Sequence, residues 1–142
     1  MAVVVFDADV LIAYLGSEDA HHAEAVEKVR RALEPGRRRL LSAVNYTEVL
    51  IGPLRSAGPA GAATVDAMLV RFGIETIQVD LMLARCAAAV RVRTGLKLPD
   101  AYALATAIHA ETRGHGDVVL ESFDTRVVKA YATLHPVPPE IE

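Results

Sequence analysis

The chain has no tryptophan, a single cysteine, and aromatic residues at only 5% of its 142 positions. A lone thiol, Cys86, cannot close an intramolecular bridge, so a disulfide scaffold is excluded and cohesion has to come from aliphatic packing. Within its alanine-rich surroundings Cys86 reads as a small core residue and not as a nucleophile. Zinc-ligand spacing is missing as well. His21 and His22 are adjacent and would point apart from a helix, while His109, His115 and His135 are scattered, so all five read as structural or surface residues. There is no Gly-x-Ser-x-Gly elbow, Walker loop or Gly-x-Gly-x-x-Gly turn, which removes the usual grounds for serine-hydrolase, P-loop or dinucleotide chemistry. No apolar run is long enough to span a bilayer, because charges such as Arg85 and Arg91 interrupt the stretch after Asp80. The opening MAVVVFDADV lacks a basic n-region and places acids where a signal peptide needs apolar residues. A cytoplasmic protein without membrane contact is the expectation. An excess of positive charge is also absent: 15 Lys and Arg face 18 Asp and Glu, for a net charge of -3. A polyanion would therefore have to be held by a local patch or through a metal. Basic residues gather at Arg37, Arg38 and Arg39, and again at Arg113, Arg126 and Lys129, where a solvated loop or helix face is the default reading.

What is present is a hydrophobic fraction of 52%, sufficient for one ordinary core, and the whole span 1–142 is expected to form one domain. Val3 to Phe6 is a continuous β-prone run of the kind buried on both faces, and Asp7 follows it directly. Helices are expected over Asp9 to Leu15 and Glu18 to Leu33, then a short strand at Leu40 and Leu41 and a helix from Val44 to Leu50 that Gly52 and Pro53 interrupt. A helix from Ala60 to Arg71 leads to a β-like segment at Ile74 to Val79. Further helices follow over Leu81 to Arg93 and Pro99 to Arg113, a strand at Val118 to Leu120, a helix from Asp124 to Ala132, and an edge strand around Val137. Alternating strands and helices predict an α/β fold with a mainly parallel sheet.

In open parallel sheets ligands bind beyond the carboxyl ends of the strands, where Asp7 and Asp124 fall. Either acid alone could equally be a helix N-cap. Asp100 shares a helical stripe with Leu104, Ala107 and Ile108, opposite Tyr102, Thr106, His109 and Arg113, and so points inward. Glu48 lies on one line with Val44 and Ile51, aimed at a neighbouring element. Carboxylates that converge without a counter-ion repel one another, so the pattern implies a divalent cation, and oxygen-only ligands favour Mg2+ with Mn2+ able to substitute.

Four segments, VVVFDADVLIAYL, SAVNYTEVL, LKLPDAYALATAI and VVLESFDTRV, in this order and spacing, resemble the PIN-domain nucleases and in particular the VapC-type toxins of bacterial toxin–antitoxin pairs. The resemblance implies a three-layer α/β/α sandwich and a metal-dependent endoribonuclease acting on single-stranded or loop RNA. It implies Asp7, Glu48 and Asp100 as metal-binding acids, Asp124 as the fourth and more variable one, and Ser122 as a metal or substrate contact. It also implies a cognate antitoxin and a homodimer, for which the apolar helices from Val44 to Arg71 could supply surface. Asp9 stands where many relatives carry Ser, Thr or Asn, Glu121 and Ser122 replace a small or hydroxyl-bearing pair, and Asp117 competes weakly for the fourth role. Lys97, just before the Asp100 helix, is a candidate phosphate contact.

The enzyme rival is a haloacid-dehalogenase-like phosphatase, since VVVFDADV also fits a strand followed by Asp-x-Asp, with Asp7 as nucleophile and Asp9 as acid–base. That reading leaves Glu48 and Asp100 without roles. The non-enzymatic rival is a PIN-like module that binds through the same cavity and cleaves nothing.

Overall fold

The computed structural model describes residues 2–141. Its four strands are β1 (Ala2–Phe6), β2 (Arg37–Ser42), β3 (Ile74–Ile77) and β4 (Val118–Glu121). All pair in parallel, in the order β3-β2-β1-β4. Parallel neighbours need crossover helices, and these are α1 (Ala8–Leu15), α2 (His22–Ala32), α3 (Ala43–Ala57), α4 (Pro59–Arg71), α5 (Leu81–Thr94) and α6 (Leu98–Thr112), with α7 (Thr125–Thr133) following β4.

The period-2 alternation of β1 sorts the helices into two layers. Val3 and Val5 face one way, into a core shared with Leu40, Leu120 and the buried sides of α5, α6 and α7. Val4 and Phe6 face the other way, packed with Leu41, Ile74 and residues of α1 to α4. The result is the expected α/β/α sandwich with β1 covered on both faces, which explains its uninterrupted apolar sequence. Cys86 is buried in the first core, and burial pushes its thiol pKa up to about 11, as befits a packing residue.

Several expectations need correction. Helix α2 starts at His22, since residues 17–21 form turns in which the Asp19 carboxylate accepts from the His21 backbone N–H at 2.8 Å. Strand β2 begins at Arg37, so Arg37 to Arg39 are neither loop nor helix face. Arg39 donates to the carbonyls of Phe72 at 2.7 Å and Ala32 at 2.9 Å, and Arg38 pairs with Glu75 at 2.9 Å. The charges of Arg38 and Arg39 are thus engaged within the protein. Helix α3 does not stop before Gly52 but continues through Pro53 to Ala57. Helix α4 presses on it there so closely that a Cβ on Gly61 would lie 2.0 Å from the Pro53 carbonyl oxygen. On the polar face of α6 opposite Asp100, Thr106 is buried, its hydroxyl donating to the Tyr102 carbonyl at 2.8 Å, while Tyr102 and His109 are half-buried and Arg113 is exposed. No strand forms around Val137, which packs as a partly buried side chain against the α5–α6 core. No helix among the described residues is long and apolar enough to cross a membrane.

Candidate active site

The chain runs from β1 outward to β2 and β3 and then returns to the opposite side of β1 as β4, so the crevice of the sheet opens beyond the carboxyl ends of β1 and β4. Phe6 pairs with Glu121, which sets Asp7 beside Ser122 one residue further on. The Asp7 backbone N–H donates to the Glu121 carbonyl at 2.9 Å, extending the ladder by one bond. The Ser122 hydroxyl donates to Asp7 Oδ2 at 2.9 Å and lies 3.3 Å from Asp9 Oδ2. It also accepts from the Asp124 backbone N–H at 3.0 Å. One buried hydroxyl therefore ties together three acidic positions from the two ends of the chain.

Asp7 and Asp124 are indeed N-caps, of α1 and α7, with carboxylates accepting from Ala8 N–H at 2.8 Å and Arg126 N–H at 2.9 Å. Capping does not exhaust Asp7. It is only 3% exposed, and burial first, then the charge of Asp9, and further the charge of Asp100 raise its pKa from 3.8 to about 7. Asp100, in the first turn of α6, is raised by burial and by the charges of Asp124 and Asp9, with Arg126 and Lys97 pulling the other way. Glu48 on α3 is raised by burial and by the charges of Asp100 and Asp9, against the lowering effect of its hydrogen bond with Asn45. Asp9 is raised chiefly by burial, with Asp124 adding to it. Asp124 alone moves downward, because the Arg126 side chain bonds to it. Acids that perturb each other in this way share one region, so the crevice gathers Asp7, Asp9, Glu48, Asp100 and Asp124, with Ser122 among them and Lys97 exposed at the α6 N-cap.

Asn45 was not singled out from sequence, yet it joins two walls of the site. Fully buried, it donates from Nδ2 to Glu48 Oε1 at 3.0 Å and to the Pro99 carbonyl at 3.1 Å, while Ser42 Oγ donates to its Oδ1 at 2.6 Å. It locks α3 to the start of α6, and hence Glu48 to the Asp100 region. Its signal in the sequence is only a polar residue one turn before Glu48. Asp117, by contrast, precedes β4, and its carbonyl accepts from Val3 N–H at 2.8 Å, at the amino end of the sheet. It has no part in this crevice.

A metal is a fair test of such an arrangement. Asp9 Oδ1 is the one buried side-chain oxygen or nitrogen without a hydrogen-bond partner among the described residues, while Asp9 Oδ2 accepts from Phe123 N–H at 2.9 Å. An orphaned carboxylate oxygen amid like charges is expensive unless a cation satisfies it. No group of three His, Cys, Asp or Glu among the described residues is close enough to hold an ion by itself. With Asp9 Oδ1 free and only oxygen donors nearby, the residues suit a hard divalent cation that keeps part of its water.

A family model for the PIN domain matches residues 4–133. The chain belongs to the PIN domain family. No curated protein sequence matches it significantly. Among solved structures, this PIN domain is similar to the VapC20 toxin of Mycobacterium tuberculosis, described as cleaving the sarcin-ricin loop, with a TM-score of 0.68 and 19% identity over 91% of this chain and 95% of that one. It is similar to a chain of a toxin–antitoxin complex from Klebsiella pneumoniae, with a TM-score of 0.60 and 26% identity over 88% of each. VapBC-1 of nontypeable Haemophilus influenzae matches with a TM-score of 0.64 and 14% identity, over 92% of this chain and 93% of the other. These likenesses bear out the PIN-like sandwich expected from the four sequence segments. The family match does not favour the phosphatase rival, which leaves Glu48 and Asp100 without roles.

Proposed function

We propose that this PIN domain is a Mg2+-dependent endoribonuclease and the toxin member of a cytoplasmic toxin–antitoxin pair. The observation that carries the proposal is the buried Asp7 carboxylate, which Ser122 ties to the β4 end while Asp9 and Asp100 repel it. Charge accumulated at such a cost serves a cation. The match to the PIN family supports the nuclease activity, and the toxin and toxin–antitoxin neighbours support the biological pairing and the RNA substrate.

In this reading Asp7 and Asp100 are the chief ligands, with Mn2+ able to replace Mg2+. Glu48, steadied by Asn45, and Asp124, steadied by Arg126, orient water on either side of them. Ser122 holds Asp7 in position and is placed to meet substrate, and Lys97 offers a charge to an approaching phosphate. When bound, the ion supplies a Lewis acid for the phosphodiester and makes water a competent nucleophile near neutral pH. The protein's own contribution is to keep the carboxylates in place and to position the strand.

An apolar groove of about 690 Å3 between α1, α3 and α4, bounded by Ile12, Ile51 and Pro53 and reaching Glu48, suits an apolar segment of the antitoxin. Leu81 and Val92 of α5, 88% and 86% exposed, offer apolar surface for a homodimer. The test of the activity is cleavage of single-stranded RNA by purified protein. Cleavage should stop on chelation, return with Mg2+ or Mn2+, and be lost in D100N with an unchanged circular dichroism spectrum. Binding of RNA with no cleavage in any divalent ion would make the protein a non-catalytic module.

A further inference from the structure

Beside the acids lies a feature that metal chemistry does not use. The rings of His21 and Phe123 are stacked, with centroids 4.7 Å apart and planes at 19°. The two come from distant parts of the chain, the turn before α2 and the segment after β4, and each is fixed independently. The His21 backbone N–H donates to the Asp19 carboxylate, and the Phe123 N–H donates to Asp9. Lys28 Nζ sits 5.6 Å from the centroid of the Phe123 ring and is itself held by Glu121 at 3.0 Å. The stacked pair borders a hollow of about 410 Å3 whose other lining includes Ile12, Ala13, Asp9 and Asp124. His21 is exposed although one of its faces lies against Phe123, so its remaining surface is open to solvent.

We propose that His21 and Phe123 form a stacking platform for an unpaired nucleobase of the RNA, next to the phosphodiester held at the carboxylates. This rests on the nuclease reading above and deepens it by assigning a base-binding subsite. Recognition of single-stranded RNA relies on splayed bases laid on aromatic or imidazole faces, and a prealigned pair offers such a face without ordering cost. The hollow suits a base, since its carboxylates Asp9, Asp19 and Asp124 can accept hydrogen bonds from exocyclic amines. The hollow shares Asp9 and Asp124 with the carboxylate crevice, so the platform lies beside it. A packing role alone would account for Phe123, which is partly buried against the second core, but not for an exposed ring laid flat upon it.

The test uses the cleavage-deficient D100N protein in Mg2+ and measures fluorescence anisotropy with a short labelled single-stranded RNA of mixed sequence and with its abasic counterpart. Adding H21A or F123L should weaken binding of the RNA about tenfold, within the range for one stacked base, while leaving the abasic oligomer unaffected, and H21A, at an exposed ring, should also leave the melting temperature unaffected. Adding H21F should restore binding to within a factor of about two, because it keeps the π face. Failure of H21F to restore binding overturns the platform. Unchanged RNA affinity in both H21A and F123L overturns it while leaving the nuclease reading intact, and if those variants lose only an antitoxin, the pair belongs to a protein contact. Absence of RNA binding by the parent protein, together with absence of cleavage by the native one, overturns both readings.

Discussion

Replacing Asp7 by asparagine should make the metal-free protein more stable at neutral pH while removing its activity. The magnitude follows from the site. The folded pKa of Asp7 is raised from 3.8 to about 7, by burial first and by the charges of Asp9 and Asp100 after it. At about 1.4 kcal/mol per pH unit, this is on the order of 4 kcal/mol as an upper bound on the cost of ionising it in place. The sign runs against the usual carboxylate. Below about pH 4 the group is protonated in both folded and unfolded chains and costs nothing. Between about pH 4 and 7 the unfolded chain releases its proton and the folded one does not, so stability falls as pH rises; above 7 the loss is complete. Asparagine retains an oxygen to cap the Ala8 N–H, and its amide can donate to Ser122 Oγ once that hydroxyl turns toward Asp9.

The assay is thermal unfolding of native protein and D7N between pH 4 and 8, with chelator and with excess Mn2+. In chelator at pH 8 the variant should melt higher by several degrees, on the order of 3 °C for each kcal/mol recovered, and its curve should be flatter from pH 4 to 7. Excess Mn2+ should reverse the order, since a ligand at about a hundred times its dissociation constant adds roughly 2.7 kcal/mol to the protein that binds it and nothing to the one that does not. Equal pH slopes, or a variant less stable in chelator at pH 8, would refute the argument that Asp7 carries uncompensated charge.

Three further perturbations test the supporting parts. D9N keeps an acceptor for the Phe123 N–H but removes the charge beside the orphaned oxygen, so calorimetry should show Mn2+ affinity lower by about ten- to a hundredfold with no loss of metal-free stability. N45A strands the Pro99 carbonyl and Glu48 in a part-buried setting and should cost roughly 1–3 kcal/mol by urea titration, with cleavage reduced more than folding explains. G61A places a methyl group 2.0 Å from the Pro53 carbonyl oxygen, against rigid backbone, so α3 and α4 must separate; a loss of about 1–3 kcal/mol is expected, and an unchanged melting temperature would show that the helices can slide apart freely.

Local patterns exposed most of this architecture, and the exceptions share one physical origin. Val3 to Phe6 read correctly because a strand covered on both faces needs no polar alternation, and Asp7 and Asp100 stood out because each acid adjoins an apolar stripe or strand. Glu48 was visible for the same reason. Arg37 to Arg39 hid the start of β2, because the carbonyls that satisfy Arg39 belong to residues 32 and 72, which no local window associates with it. Pro53 suggested a break in α3 that the helix does not make, and only the packing of α4 at Gly61 marks that turn as part of a helix–helix contact. In the site, the Ser122 bridge spans 115 residues and the His21–Phe123 stack about 100, so neither leaves a spacing to read. Short-range periodicity reports which way a side chain points. It does not report what waits there.

The sheet order also determines where the electrostatic cost resides. Because β4 returns beside β1, apolar packing on both faces of these strands holds Asp7 and Ser122 together whether or not the charges have been compensated. The scaffold thus absorbs the repulsion, and any cation that reaches the crevice recovers it. On the proposed reading a hydrated Mg2+ would satisfy this deficit, and so would a basic side chain if the antitoxin sets one among the acids; two occupants drawing on one deficit cannot both gain the full stabilisation. Antitoxin affinity should therefore fall as Mg2+ rises, and to the same extent that Mg2+ affinity falls as antitoxin is added, since coupling between two equilibria at one site is reciprocal. If the two bind independently, the basic side chain lies elsewhere and inhibition arises from blocking the groove alone.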